Sequence, residues 1–118
     1  MITTLTLNPA FDVHVTLSTF QTGHENLAEA VTRNVGGKGI NISRALCENK
    51  ISNIPVVVTG HENADEFVHG LKEAGLSCKT VACEGRIREN ITIHPASGPE
   101  TRVSFKGFSC DASVLDRV

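Results

Sequence analysis

The chain has no tryptophan, no tyrosine and a single methionine, so its core must be built from Ile, Val, Leu and five phenylalanines. It lacks any apolar run near the ~20 residues that cross a bilayer, and no charged-then-apolar leader opens it. Basic excess is missing too. Eleven Lys and Arg against thirteen Asp and Glu leave a net charge of −2, with no stripe that would track a phosphate backbone. Neither membrane nor nucleic acid is expected as a partner, and a cytoplasmic location is expected. At 118 residues and 40% hydrophobic content the chain is one globular domain's worth, with a modest core.

Metal-binding spacing is also absent. Cys47, Cys78, Cys83 and Cys110 fit neither a zinc pattern nor a secreted disulfide framework, so buried or half-buried free thiols are expected. The five histidines (His14, His24, His61, His69, His94) form no His-x-x-x-His or comparable cluster. Surface or structural roles are expected for each, and no metal ligand is assigned.

What is present begins with a β-branched run, residues 2–8, in which Ile2, Leu5 and Leu7 are interleaved with threonines and Pro9 ends the strand. Residues 13–17 and 27–35 read as two further strands joined through a polar stretch with Gly23 at its turn. Alternation sets Asp12, His14 and Thr16 against Val13, Val15 and Leu17. Residues 38–49 read as a helix with Ile42, Ala45 and Leu46 on its apolar stripe. The continuous apolar run 55–60 predicts a strand buried on both faces. A second helix over 64–74, with Phe67, Val68 and Leu71 inward, is stopped by Gly75, and residues 76–83 form another strand. Strand, helix, strand, helix, strand indicates a parallel α/β sheet.

Residues 86–94 alternate, with Ile87, Ile91 and Ile93 opposite Arg86, Arg88, Asn90 and Thr92. A hairpin loop over 95–100 returns through a strand at 101–106, with Val103 and Phe105 inward. Four strands thus stand outside the parallel sheet as a second layer. After Asp111 or Ser113, either a good N-cap, a helix starts and is cut short. The chain is therefore expected to be the N-terminal portion of a longer protein.

The loop Gly36-Gly37-Lys38-Gly39-Ile40-Asn41 carries the chemistry. Its glycines let backbone approach a ligand closely, and the following helix supplies free N–H groups and a positive dipole end, a natural anion site. A tight turn with a solvated lysine is the alternative. It is not a Walker A loop, because Thr32 and Gly39 stand where that pattern needs Gly and Ser/Thr.

Thr4-Leu5-Thr6-Leu7-Asn8-Pro9-Ala10-Phe11-Asp12, the glycine-lysine loop and Gly85-Arg86-Ile87-Arg88-Glu89-Asn90-Ile91 together resemble the ribokinase-like (PfkB) carbohydrate kinases. More narrowly they resemble the branch containing 1-phosphofructokinase and tagatose-6-phosphate kinase, and the resemblance covers the whole chain. It implies an α/β fold: the first part of a ribokinase-like parallel sheet with flanking helices, plus a small β-sheet lid with strands about 12–35 and 86–106.

By the same resemblance Asp12 grips sugar hydroxyls, Gly36 and Gly37 let backbone N–H groups reach the sugar, and Lys38 and Arg88 bind the substrate's phosphate. Asn41 and Asn90 contact the substrate as amides. The plain readings are a turn aspartate, a solvated lysine, a lid-surface salt bridge and a polar first-turn residue. Glu89 is unexpected on a phosphate-facing strand, although alternation should point it away, and Lys106 stands where a small residue is expected. The family's catalytic aspartate sits in a Gly-Ala-Gly-Asp motif that these residues do not contain, so no catalytic residue is assigned.

The resemblance implies transfer of the ATP γ-phosphoryl group to a phosphorylated ketohexose, fructose 1-phosphate before tagatose 6-phosphate, by the complete enzyme. ATP and Mg2+ are its implied cofactors, with neither expected on this chain alone, and a homodimer through the lid or the open sheet edge is expected. The alternative is a non-catalytic, truncated module that binds sugar phosphate or dimerises through its lid.

Overall fold

Thr4 and Thr6 of the first strand face inward, and Leu5 between them faces out. The reason lies in the computed structural model, which describes residues 1–118. Strand β1 (Ile2–Thr6) is covered by helix α1 (Lys38–Glu48), and the Thr4 hydroxyl bonds to the Ser43 hydroxyl on that helix. The buried residues of α1 are Gly39, Ile40 and Ser43, whereas the expected stripe member Ile42 is 54% exposed. The correction has a physical cause. The helix lies on a threonine face, so Gly39 and Ser43 pack there, Ile40 enters the main core, and Ile42 is left outside.

Three parallel strands make the body sheet in the order β1-β4-β5, with β4 (Asn53–Gly60) central and β5 (Lys79–Cys83) at the far edge. Every residue of β4 from Pro55 to Gly60 is buried, as the continuous apolar run predicts. Helix α2 (Ala64–Glu73) buries Phe67 and Leu71 and ends before Gly75, which takes φ +77°. Short helix α3 (Ala112–Arg117) is capped by Asp111, whose carboxylate accepts from the Val114 N–H.

Between β1 and α1 the chain detours through β2 (Ala10–Leu17) and β3 (Ala30–Gly36). After β5 it returns through β6 (Arg88–Pro95) and β7 (Thr101–Val103). These four form a separate mixed sheet in the order β3-β2-β6-β7, with β2 and β6 parallel and both outer pairs antiparallel. Parallel body sheet, flanking helices and lid agree with the expected fold class. The β2 strand begins two residues before Asp12, so Asp12 lies inside a strand and not at its junction. The last strand is only three residues long, and Val103 and Phe105 are exposed rather than inward.

The lid is rooted in the body core. Phe11, Val13 and Val35 from its base join Ile40, Val57, Phe67, Leu71, Leu76 and Ile87 in one buried cluster, with the Phe11 and Phe67 rings edge-to-face at 5.2 Å. Gly70 lets α2 approach β3, since a Cβ there would press on Val35 Cγ1. Asn63, the N-cap of α2, spends its side chain on the lid: Oδ1 accepts from Ile87 N–H at 2.8 Å and Nδ2 donates to Ile87 C=O at 3.0 Å. That buried pair fixes the entry of β6, one residue before Arg88.

Candidate functional site

Strand register assembles the site. Ala10 on β2 pairs with Gly36 on one side and Arg88 on the other; Asp12 pairs with Asn34 and Asn90. Paired residues and those two apart share a face, so Asp12, Gly36, Arg88 and Asn90 stand together on one side of the lid base. Residues 52 positions apart in sequence (36 and 88) become neighbours across one strand.

Gly36 is required by Asp12, whose carboxylate occupies the space a Cβ at residue 36 would need. Gly37 takes φ +138° as the N-cap of α1, a region L side chains avoid, and a Cβ there would press on Thr6 Cγ2. No side chain caps α1, and its first turn holds no acidic residue. The positive end of the helix dipole is left uncompensated.

Lys38, the first residue of α1, is exposed. With Leu5, Thr6, Leu7, Asn8, Gly39 and Arg88 it lines an open cleft of about 390 Å³. Two cations and a helix N-terminus border this cleft, and no carboxylate does. The Thr6 hydroxyl and the Arg88 Nε–H are both buried there without a hydrogen-bond partner.

Arg88 is half-buried and partly engaged. Its Nη1 donates to the Phe105 carbonyl at 3.0 Å and its Nη2 to the Asn8 carbonyl at 3.3 Å. The Asn90 Oδ1 accepts from the Phe105 N–H at 3.2 Å, and Asn8 Nδ2 donates to the Lys106 carbonyl at 2.9 Å. Asn8, Arg88 and Asn90 therefore hold the Phe105–Gly107 segment by its backbone. This accounts for Lys106: its main-chain oxygen is used and its side chain is exposed. Asn41 lies on the first turn of α1, exposed, with its Oδ1 accepting from Arg44 Nη1 at 3.3 Å.

Glu89 points to the opposite face, where Arg33 grips it. Arg33 Nη1 lies 2.9 Å from Glu89 Oε2, Nε lies 2.8 Å from Glu66 Oε1, and the guanidinium sits 4.1 Å over the Phe11 ring. The hydrogen bond from Arg33 holds the Glu89 carboxyl below its usual range, and the Glu89 bond raises Arg33 in turn. The Glu89 anomaly is resolved: strand alternation turns it away from the cleft and into an ion pair.

Sequence reasoning missed one pair. His14 Nδ1 and His94 Nε2 are 2.8 Å apart, and His94 Nδ1 lies 3.0 Å from Glu100 Oε2. The two residues are 80 positions apart and meet only through the parallel β2–β6 register, which periodicity does not reveal. Of the cysteines, Cys83 is buried and Cys78 and Cys110 half-buried, but Cys47 is exposed on α1, contrary to expectation. Burial pushes the Cys78 and Cys83 thiols up.

Known proteins resemble the chain in sequence and in fold. No family model matches the chain. It is 30% identical over 116 residues to 1-phosphofructokinase of Escherichia coli K12, covering 98% of this chain and 37% of that protein. It is 35% identical over 118 residues to 1-phosphofructokinase of Xanthomonas campestris, covering 36% of it. Phosphofructokinase-2 of Escherichia coli, solved in complex with fructose-6-phosphate, superposes with a TM-score of 0.89 at 25% identity, over 98% of this chain and 39% of that one. The chain thus spans little more than a third of the relatives it matches. Along its whole length, in sequence and in fold, the chain is similar to these proteins and fits an N-terminal portion of a PfkB-type kinase.

Proposed function

We propose that this chain is the acceptor-binding part of an ATP-dependent sugar-phosphate kinase whose acceptor is a phosphorylated ketohexose, with fructose 1-phosphate favoured over tagatose 6-phosphate. One observation carries the reading. The cleft lined by Asn8 and Thr6 is bordered by Lys38, Arg88 and the bare N-terminus of α1, with no carboxylate of its own, and Asp12 shares a lid face with Arg88. A phosphate carried by the substrate suits that cleft, and charge-assisted hydrogen bonds from Lys38 and from the unpartnered Arg88 Nε–H would hold it. The Asp12 carboxylate, acceptor-only when ionised, takes hydrogens from two sugar hydroxyls and so selects a polyol. Gly36 and Gly37 let the sugar approach main chain, Asn90 steadies the lid end, and Asn41 offers its amide from the first turn of α1.

ATP supplies the transferred phosphoryl group and Mg2+ its charge neutralisation in the complete enzyme. The residues of this chain do not fit that donor site. They contain no Gly-Ala-Gly-Asp segment and no trio of His, Cys, Asp or Glu placed to hold a metal ion. Residues 1–118 then form the N-terminal part of one ribokinase-like domain, act in the cytoplasm, and pair as a homodimer through the lid or the open sheet edge. Isothermal titration of the chain with fructose 1-phosphate, tagatose 6-phosphate and free fructose tests the reading. Binding of the phosphorylated sugars and not of fructose supports it; no binding of any sugar phosphate overturns it.

A further inference from the structure

We infer that Arg33 is a positioning residue of the acceptor site, acting from the back of the lid on Asp12, Arg88 and Asn90. The inference rests on the acceptor-site reading above and adds to it a residue that touches no substrate.

Arg33 lies on β3, and register pairs it with Val13, on the face opposite Asp12. Its guanidinium reaches three elements at once. One arm holds Glu66 on helix α2 of the body, a second holds Glu89 on β6, and the plane covers Phe11 on β2. Two of the three points it grips adjoin site residues: Phe11 precedes Asp12, and Glu89 lies between Arg88 and Asn90. A strand gripped by one side chain cannot roll about its axis, so fixing Glu89 on the back fixes its two neighbours on the front. The Glu66 arm adds the angle between lid and body. Phe11 passes the constraint inward, because its ring is wedged edge-on against Phe67 in the core.

Only arginine can do this here. Its planar fork offers several N–H donors in fixed directions while its face stacks on an aromatic ring, whereas an ammonium presents a point charge without a plane. Ion pairs exposed to this degree add little to stability, so the worth of the contact lies in geometry. Arg86, 3.6 Å from Glu89, supplies a looser second cation and makes no ion pair with α2.

The test compares the wild-type chain with Arg33→Lys and Arg33→Met. Three readouts are taken: melting temperature, fructose 1-phosphate affinity, and the NMR signals of the Asn90 side-chain amide and the Arg88 Nε–H. Arg33→Lys keeps charge and stem, and should melt near wild type yet bind the sugar phosphate about tenfold more weakly, as expected when binding groups are misplaced. Its Asn90 and Arg88 signals should shift or broaden, while the Ile51 backbone amide, beyond the far end of α1, should not move. Arg33→Met should show the same signal changes more strongly. Unchanged Asn90 and Arg88 signals in both variants overturn the inference, as does unchanged affinity in both. If the wild type binds no sugar phosphate but the signals move, the function reading fails and the positioning role stands.

Discussion

The carboxylate of Asp12 sits in the space that a side chain at Gly36 would occupy. The two residues are on adjacent strands and together form the corner between the lid and the helix that starts at Lys38. Substituting Gly36→Ala must push that carboxylate aside. Overpacking of this kind costs about 1–3 kcal/mol of stability, and the displaced Asp12 should also lose sugar affinity. Thermal melting alongside titration with fructose 1-phosphate checks both effects; an unmoved melting temperature would mean the corner relaxes freely.

Asp12→Asn separates shape from chemistry. The amide keeps the size of the carboxylate but replaces acceptor lone pairs with donors, so sugar affinity should fall with little loss of stability. A large drop in melting temperature would instead make Asp12 a structural residue of β2.

Lys38→Ala and Arg88→Ala should each weaken sugar-phosphate binding by about 1.5–3 kcal/mol, the worth of a hydrogen bond to a charged group. The two differ in a second way. Lys38 is exposed, so its loss should leave melting unchanged. Arg88 also ties Asn8 to Phe105, and Arg88→Ala should lower the melting temperature and loosen the Phe105–Gly107 segment. Equal melting temperatures for the two variants would argue against that clasp.

Much of this was legible in the sequence, and the reasons are physical. Val56, Val57 and Val58 form an unbroken apolar run because β4 is covered on both faces, and no other environment asks for that pattern. Gly37 is legible because its φ of +138° excludes other residues. The inward threonines of β1 were not, since Thr4 is held by a hydroxyl of its covering helix and Thr6 is buried with its hydroxyl unpartnered, neither of which hydrophobic periodicity encodes. Arg33 and the His14–His94 pair were hidden for another reason. Both depend on contacts 33 to 80 positions apart, which local periodicity does not encode. The alternation of residues 86–94 did give the facing of Glu89, but not its partner.

The Arg33–Glu89 contact should make the lid acid-sensitive. Glu89 is held below the usual carboxylate range, chiefly by its hydrogen bond from Arg33. A depressed carboxylate stabilises the fold above its unfolded pKa of about 4.3, and loses that contribution as pH falls through the lower folded value. The melting-temperature gap between wild type and Glu89→Gln should therefore be present at neutral pH and close in acid. The gap is expected to be small, under about 1 kcal/mol, because both side chains are about a third exposed. A gap that stays constant down to pH ~2.5 would mean that Glu89 is not held as described.

Self-association is the broadest expectation. Register pairs Leu5 with Val56, so Leu5 and Leu7 of the β1 segment share a face with Ile54, Val56 and Val58. Helices α1 and α2 lie on the other face, and the short α3 packs on this one only near β5. Leu5, Leu7 and Ile54 are left 47%, 39% and 43% exposed beside β1, whose outer edge has no strand partner. Exposed apolar residues next to an open strand edge are a template for another chain. Residues 1–118 should therefore dimerise or assemble further as concentration rises, which light scattering and an apolar-surface dye can follow. Leu5→Glu removes apolar surface where the side chain is already half outside, so folding should survive it. If that change yields a monomer, the sheet face is the interface. If the dimer persists, the lid carries it, and a wild-type monomer that binds no dye would mean that neither surface recruits a partner.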